Sequence, residues 1–225
     1  TSDDPSSLTR VATARDASTI LDDGAGKTYD RDGHDTGGTA DDDRPTLTVT
    51  GKPDVSEGSY ATYTVTLDKA LDARTDISLA LTYVTTENAD YNASYVVYTD
   101  PSDITGTLLT VTSGKISLPA GAMTFYVRVA TVSDNVYEGP EDLRLTASFD
   151  AAALKYENRV SGTTRVGSSA DGISTFKDDG SGVVYDERGR STPTAADDDR
   201  PTLTVTGKPD VSEGSYAPFK VSLDK

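Results

Sequence analysis

The chain has 225 residues, of which 37 are Asp or Glu and 21 are Lys or Arg, so its formal net charge is −16. A chain this acidic is repelled by nucleic acid and by anionic membranes, and cations are its natural partners. It has no cysteine, which excludes disulfides and thiolate metal sites. No apolar stretch approaches the roughly 18 residues that would cross a bilayer, so we expect a soluble protein.

Apolar residues alternate with polar ones in several segments, a pattern that predicts β-strands with one face on a core. In chain order these segments are Leu47/Val49, Tyr63/Val65/Leu67, Ile77 to Tyr83, Phe125/Val127/Val129 and Leu143 to Phe149. Turn residues rich in Gly, Pro and Asp separate them, at 51–54, 100–103, 119–121 and 138–141. Short strands at this spacing, with no helical stretch, favour an all-β fold of the β-sandwich type.

A long internal repeat organises the chain. Residues 41–69 return as residues 197–225, at an offset of 197 − 41 = 156, and only four of the 29 positions differ. A period of this length indicates whole domains in tandem. The predicted order is the tail of a preceding repeat over 1–24, an acidic linker over 25–43, a complete sandwich repeat over 44–180, an acidic linker over 181–199 and the start of the next repeat over 200–225. The linker between the copies, rich in Gly, Ser, Thr and charge, offers little to bury.

Carboxylates gather at turns and at the ends of the predicted domain. The groups are Glu57, Asp90, the run 134–142, Asp178 with Asp179, and Asp197 to Asp199. Loops of alternate connections share one end of a sandwich, so these groups can converge, and two carboxylates about 4 Å apart repel by about 1 kcal/mol in water and more near a protein surface. A hard cation with six to eight oxygen ligands removes that repulsion, and Ca²⁺ suits flexible carboxylates better than Mg²⁺ does. The alternative is that these are ordinary solvated turn residues.

Five motifs, in this order, resemble the Calx-beta domain. They are Val55-Ser56-Glu57-Gly58, Asp90-Tyr91, Leu118-Pro119-Ala120-Gly121, the run 134–141 (DNVYEGPE) and the run 173–180 (ISTFKDDG). The resemblance covers most of residues 44–180 and is closest to the tandem Ig-like repeats of giant bacterial RTX adhesins, in which Asp-Asp-Gly ends a domain and Asp-Asp-Asp-Arg-Pro follows a linker. It implies an Ig-like, Calx-beta-type β-sandwich of seven strands with Ca²⁺ in the loops at one end.

Residue by residue, the resemblance implies Ca²⁺ ligands at the junction end of the domain. They are Glu57, Asp90, Asp134, Glu138, Glu141, Asp178 and Asp179. The acidic run Asp197, Asp198 and Asp199 can approach a cation at the same junction from the far side of the linker, with Tyr185 packing against a domain end. The chain departs from the family pattern at residues 92–112, which are longer than the usual connection and suggest an added hairpin. It departs again in its thinned acidic run, Ser133-Asp134-Asn135, and in its long linker.

The resemblance implies a structural role at a bacterial cell surface. We expect a calcium-stabilised extender repeat of a large adhesin, exported by type I secretion and acting in cell adhesion and biofilm, with neighbouring repeats as partners and with neither nucleic acid nor membrane insertion. Two alternatives stay open: a glycan- or peptide-binding module that uses residues 92–112, and a Ca²⁺ sensor that regulates a transporter. No catalytic residue is expected, because nothing marks one carboxylate as a glycosidase acid. The run Asp30 to Asp35 is expected to be solvated linker.

Overall fold

The computed structural model describes residues 15–21, 24–71, 73–87, 90–149 and 169–225. These residues form strands and turns but no helix, and so no helix that could cross a membrane. The chain divides into two units, Thr1–Arg44 and Pro45–Lys225, each of which is described by itself. The predicted tail of a preceding repeat, residues 1–24, lies mostly outside the described residues.

Ten strands of the second unit form two five-stranded sheets that share one hydrophobic core, as in a β-sandwich. The strands are β1 (Leu47–Thr50), β2 (Val55–Ser56), β3 (Tyr60–Leu67), β4 (Thr75–Tyr83), β5 (Tyr91–Tyr98), β6 (Leu108–Leu109), β7 (Lys115–Leu118), β8 (Thr124–Thr131), β9 (Glu141–Phe149) and β10 (Ser169–Lys177). The first sheet has the order β1-β3-β8-β5-β6, and the second has the order β2-β10-β9-β4-β7. The β2–β10 pair is parallel, and the other pairs are antiparallel.

The alternation in the sequence is confirmed by the burial of the strands. All five predicted strands are present, as β1, β3, β4, β8 and β9. In β8 and β9 every second side chain is buried, because a strand presents alternate residues to the core. Tyr63 also joins the two sheets, since its hydroxyl donates to the carbonyl oxygen of Leu143 at 2.8 Å. The all-β prediction is therefore confirmed, with ten strands among the described residues of the sandwich where the family resemblance implies seven.

The hairpin predicted within residues 92–112 is confirmed. Strand β5 pairs with β6, with Val97 opposite Leu109. Val97 belongs to the core, so its neighbour Tyr98 points to the outward face of the first sheet, where it stacks on Tyr126 with ring centroids 5.4 Å apart. Tyr98 is nevertheless fully buried, because other parts of the chain cover this face.

The linker after the sandwich folds against it. The N–H of Ser56 donates to the carbonyl oxygen of Val183 at 2.9 Å. The N–H of Val183 donates to the carbonyl oxygen of Asp54 at 2.8 Å. Val183 thus adds a parallel bridge to Val55 in the edge strand β2, and Tyr185 packs against the core. The composition of the linker predicts little to bury, and the structure differs. The open edge of β2 supplies a hydrogen-bonding partner that composition does not reveal.

Residues 183–192, which we call the clasp hairpin, close through a bridge between Tyr185 and Ser191. Asp186 Oδ1 accepts the N–H groups of Arg188 and Arg190, both at 2.9 Å, and Gly189 takes the left-handed conformation at φ 72°.

In the first unit, residues 27–36, the first-copy hairpin, fold the same way. Tyr29 pairs with Asp35, and Asp30 Oδ1 accepts the N–H of Asp32 at 2.9 Å and of His34 at 2.8 Å. The acidic run 30–35 is therefore a hydrogen-bonded turn, and its residues are exposed.

The last strands, β11 (Leu203–Gly207) and β12 (Phe219–Leu223), form a separate two-stranded sheet. Val205 pairs with Val221, in the register that pairs Val49 with Val65 in the first copy. Their apolar residues are exposed, whereas the matching residues of β1 and β3 are buried.

Candidate metal centre

Carboxylates converge at one end of the sandwich because several strands begin or end there. Glu57 follows β2, Asp90 precedes β5, Glu141 is the first residue of β9, and Asp178 follows β10. The connection between β8 and β9 carries Asp134 and Glu138. Antiparallel pairing places the start of β9 beside the end of β10, with Glu141 opposite Phe176. The fold therefore brings together, at one end of the sandwich, residues that are up to about 120 positions apart in the sequence.

Within the described part of the chain, two groups of three carboxylates have oxygen atoms within 4.8 Å of one another. The first acidic cluster comprises Glu57, Glu138 and Glu141, and the second comprises Glu57, Asp197 and Asp199. Glu57 belongs to both. Glu57, Glu141 and Asp199 are buried, which weakens the screening of their mutual repulsion by solvent.

Asp178 contacts both clusters and is fully buried. Its Oδ2 accepts the N–H of Glu138 at 2.8 Å, so it holds a residue of the first cluster. Its backbone carbonyl oxygen accepts the N–H of Asp199 at 2.7 Å, so it also holds a residue of the second cluster. Asp178 thus links the two clusters through one hydrogen bond to each.

Three buried carboxylate oxygens at this end have no hydrogen-bond partner among the residues that the structure describes: Glu141 Oε2, Asp178 Oδ1 and Asp199 Oδ2. Lys225 Nζ pairs with the other oxygen of Asp199 at 2.8 Å. Burial of an unpaired charged oxygen is costly, and native proteins satisfy such atoms with a hydrogen bond, a paired charge or a metal. These orphaned oxygens are the feature that fits the site to a cation.

Burial and neighbouring carboxylates weaken the acidity of the cluster. Burial raises the pKa of Glu57 to about 8, with Asp178 and Asp90 adding repulsion. Burial and a hydrogen bond with Asp90 raise the pKa of Glu141 to about 8. The pKa of Glu138 is also raised, by burial first and then by Asp90 and Asp134. The folded chain thus holds protons here that a bound cation would replace.

The second acidic cluster includes residues from the end of the linker, because that end is fixed to the sandwich. The N–H of Asp197 donates to Ser56 Oγ at 2.9 Å, and Ser133 Oγ donates to Asp197 Oδ2 at 2.6 Å. Asp179 and Asp198 form an antiparallel bridge. The residues before and after the linker therefore meet at the same end of the domain.

The other four predicted ligands lie near the clusters but outside them. Asp90 is buried and accepts the N–H of Glu87, next to Glu141. Asp134 is exposed and accepts the N–H of Val136 at 2.7 Å. Asp179 accepts from Ser181 Oγ at 2.5 Å. Asp198 forms an ion pair with Arg200 at 2.7 Å, which lowers the pKa of its carboxyl to about 2.

The sequence does not predict that Ser56, Ser133 and Lys225 contact residues of the second acidic cluster. The serines orient Asp197, and Lys225 approaches Asp199 from the strand pair of the next copy. Ser and Lys carry no metal-ligand signal, and only the three-dimensional arrangement reveals their roles. The chain matches no protein-family model and no curated protein. Chemically, the two clusters offer only oxygen ligands and are suited to a hard cation.

The raised pKa values predict how stability without metal depends on pH. Glu57 and Glu141 titrate near pH 8 in the folded chain and near their ordinary value of about 4.5 when unfolded. Between these values the folded state keeps protons that the unfolded state has released, so stability falls as pH rises from about 4.5 to about 8. In a metal chelator we expect a higher melting temperature at pH 5.5 than at pH 8, measured by scanning calorimetry. An unchanged or higher melting temperature at pH 8 would contradict this.

Proposed function

We propose that this chain is a calcium-stabilised structural extender, a tandem β-sandwich repeat that spaces a distal binding region from a bacterial cell. The observation that carries the proposal is the second acidic cluster, in which Glu57 of the sandwich and Asp197 and Asp199 at the end of the linker have carboxylate oxygens within 4.8 Å of one another. A cation bound there fixes the end of the linker to this sandwich, directly before the start of the next repeat. Such a joint stiffens a string of domains.

The ligand set favours Ca²⁺. Carboxylates are hard oxygen ligands, and the clusters contain neither the imidazole nor the thiolate that zinc and copper sites commonly use. Glu57, Glu138 and Glu141 would hold one ion, and Glu57, Asp197 and Asp199 another, with Asp178 next to both. Ca²⁺ accepts six to eight oxygens in irregular geometry, whereas Mg²⁺ requires a compact octahedron. Extracellular modules of this kind need only sub-millimolar to millimolar affinity, which suits export to the cell surface.

The near-verbatim repeat supports a spacer. Only four of 29 positions differ between residues 41–69 and 197–225, and identical units add length without adding distinct sites. The resemblance to the repeats of RTX adhesins adds the context of type I secretion, adhesion and biofilm. An enzyme is not proposed, because the buried acidic residues are better used as cation ligands.

A glycan- or peptide-binding role for residues 92–112 has less support. Arg188 Nη1 donates to the carbonyl oxygen of Ser102 at 3.3 Å, and the Tyr98 ring of this region is buried. Part of the added hairpin is therefore occupied by the chain's own linker. A glycan array probed with the whole chain is expected to give no signal.

The extender mechanism is tested by small-angle scattering of a protein with two complete repeats in tandem. In Ca²⁺ we expect an extended particle with a narrow distance distribution. In chelator, repulsion within the second acidic cluster should release the joint, and the distribution should broaden. Identical curves in the two conditions would remove calcium from the joint.

A further inference from the structure

The clasp hairpin covers the outward face of the first sheet. Arg128 of β8 donates through Nη1 to the carbonyl oxygen of Glu187 at 3.2 Å and forms an ion pair with its carboxylate at 3.3 Å. Gly189 lies so close to Thr62 of β3 that an added Cβ would approach that side chain to 3.0 Å. Arg188 reaches the added hairpin through its bond to Ser102. The sheet, the added hairpin and the linker thus meet in one interface.

The burial of outward-facing residues shows that this interface is closely packed. Thr62 lies between the core residues Ala61 and Tyr63 and therefore points outward, yet it is only 4% exposed. Tyr98, also outward, is fully buried. Lys52 Nζ lies 4.9 Å from the centre of the Tyr185 ring, which fixes the start of the hairpin. None of these contacts involves the acidic clusters.

The two copies of the hairpin share the residues that form the turn. Tyr, Asp, Gly and Thr stand at 29, 30, 33 and 36 in the first-copy hairpin and at 185, 186, 189 and 192 in the clasp hairpin. Both turns are closed by the same aspartate, Asp30 or Asp186, which accepts two backbone N–H groups. The fold of the hairpin is therefore intrinsic to these shared residues.

The residues that contact the sandwich are reversed in charge between the copies. Glu187, which pairs with Arg128, corresponds to Arg31, and Arg188 corresponds to Asp32. An arginine in place of Glu187 would face the Arg128 guanidinium, and like charges at that distance repel. The first-copy hairpin thus has a charge pattern opposite to the one that this sandwich accepts.

We propose that the linker hairpins are charge-matched clasps, each selecting the sandwich on which it docks. The clasp hairpin selects a sandwich with a basic side chain at the position of Arg128. The first-copy hairpin, with Arg31 at the position of Glu187, is repelled by such a sandwich. Attraction to the matching sheet and repulsion from the other together give specificity. This inference rests on the proposed tandem array for its context, but the contact itself needs no calcium.

Hydrogen exchange measured by NMR on the whole chain in chelator tests the proposal. The amides of Ser56 and Val183 report docking, because their hydrogen bonds join the start of the clasp hairpin to β2 and to the residue before it. The variants are Arg128→Glu, Glu187→Arg and the two combined. Each single variant places like charges together and should exchange these amides about fivefold faster, the upper range for a partly exposed ion pair. The combined variant restores opposite charges and should exchange them more slowly than either single variant.

Controls separate docking from global stability. Arg144→Glu makes the same change on β9 of the other sheet and should leave both amides unchanged. Amides of the β3–β8 ladder should stay slow in every variant, since the core is intact. High salt should reduce the differences. If the combined variant exchanges as fast as the faster single variant, the charges do not select the partner, whatever the scattering of the two-repeat protein shows about calcium.

Discussion

Chelation of Ca²⁺ is expected to lower the melting temperature of the chain by about 10 °C at neutral pH. A ligand that binds only the folded state stabilises it by about 2.7 kcal/mol at a hundredfold excess over its Kd, and in a domain of this size 1 kcal/mol shifts the melting temperature by several degrees. The loss of stability arises at the acidic clusters, because without a cation Glu57 and Glu141 must remain protonated or repel their neighbours. Scanning calorimetry in Ca²⁺ and in chelator measures the shift.

Magnesium is the matched control for this experiment. It has the same charge, so diffuse screening of 37 acidic residues would be equally strong with either ion. A site that needs irregular coordination by several carboxylates should be stabilised much less by Mg²⁺ than by Ca²⁺. Equal melting curves with Ca²⁺ and with chelator would remove the metal site from the proposed function. Equal shifts with Ca²⁺ and Mg²⁺ would indicate non-specific screening.

The fold was predictable because its core strands carry an unambiguous period of two. Tyr63, Val65 and Leu67 alternate with threonines in β3, and each packs into the core. Strand β10 was harder, because its apolar residues are sparse among Ser, Asp and Gly, and only Phe176 gives a strong core signal. The docking of residues 181–196 was not predictable from composition, since it depends on the free edge of β2 and on Arg128.

The acidic character of the site was predictable, but the grouping of its residues was not. Turn position and charge singled out Glu57, Glu138 and Glu141, which the structure brings together. They equally singled out Asp134 and Asp198, which instead bond to a neighbouring amide and to Arg200. The difference is set by side-chain direction and by local hydrogen bonds, which a list of acidic positions does not contain. Asp199 joins the site because Asp178 holds its backbone, a contact made across the linker.

Glu57→Gln is expected to change the stability of the chain in opposite directions with and without Ca²⁺. Glu57 is the only residue that the two acidic clusters share, so the substitution removes one charged ligand from both. In Ca²⁺ we expect about a tenfold or greater loss of affinity by titration calorimetry, equivalent to about 1.4 kcal/mol, and a lower melting temperature. In chelator the same change keeps the shape of the side chain but removes a buried carboxylate whose pKa is raised to about 8. The apo melting temperature at pH 8 should therefore rise.

The chain supplies its own control in Glu213, the counterpart of Glu57 at the repeat offset of 213 − 57 = 156. Glu213 lies in the same local sequence, Val-Ser-Glu-Gly-Ser-Tyr, but it is exposed and belongs to neither acidic cluster. Glu213→Gln should leave affinity and both melting temperatures unchanged. A Glu57→Gln variant that is destabilised equally with and without Ca²⁺ would mean that Glu57 serves packing alone. A melting temperature that rises without Ca²⁺ and falls with it requires a carboxylate at position 57 that destabilises the folded state until a cation binds. A calcium-dependent joint between repeats needs this property.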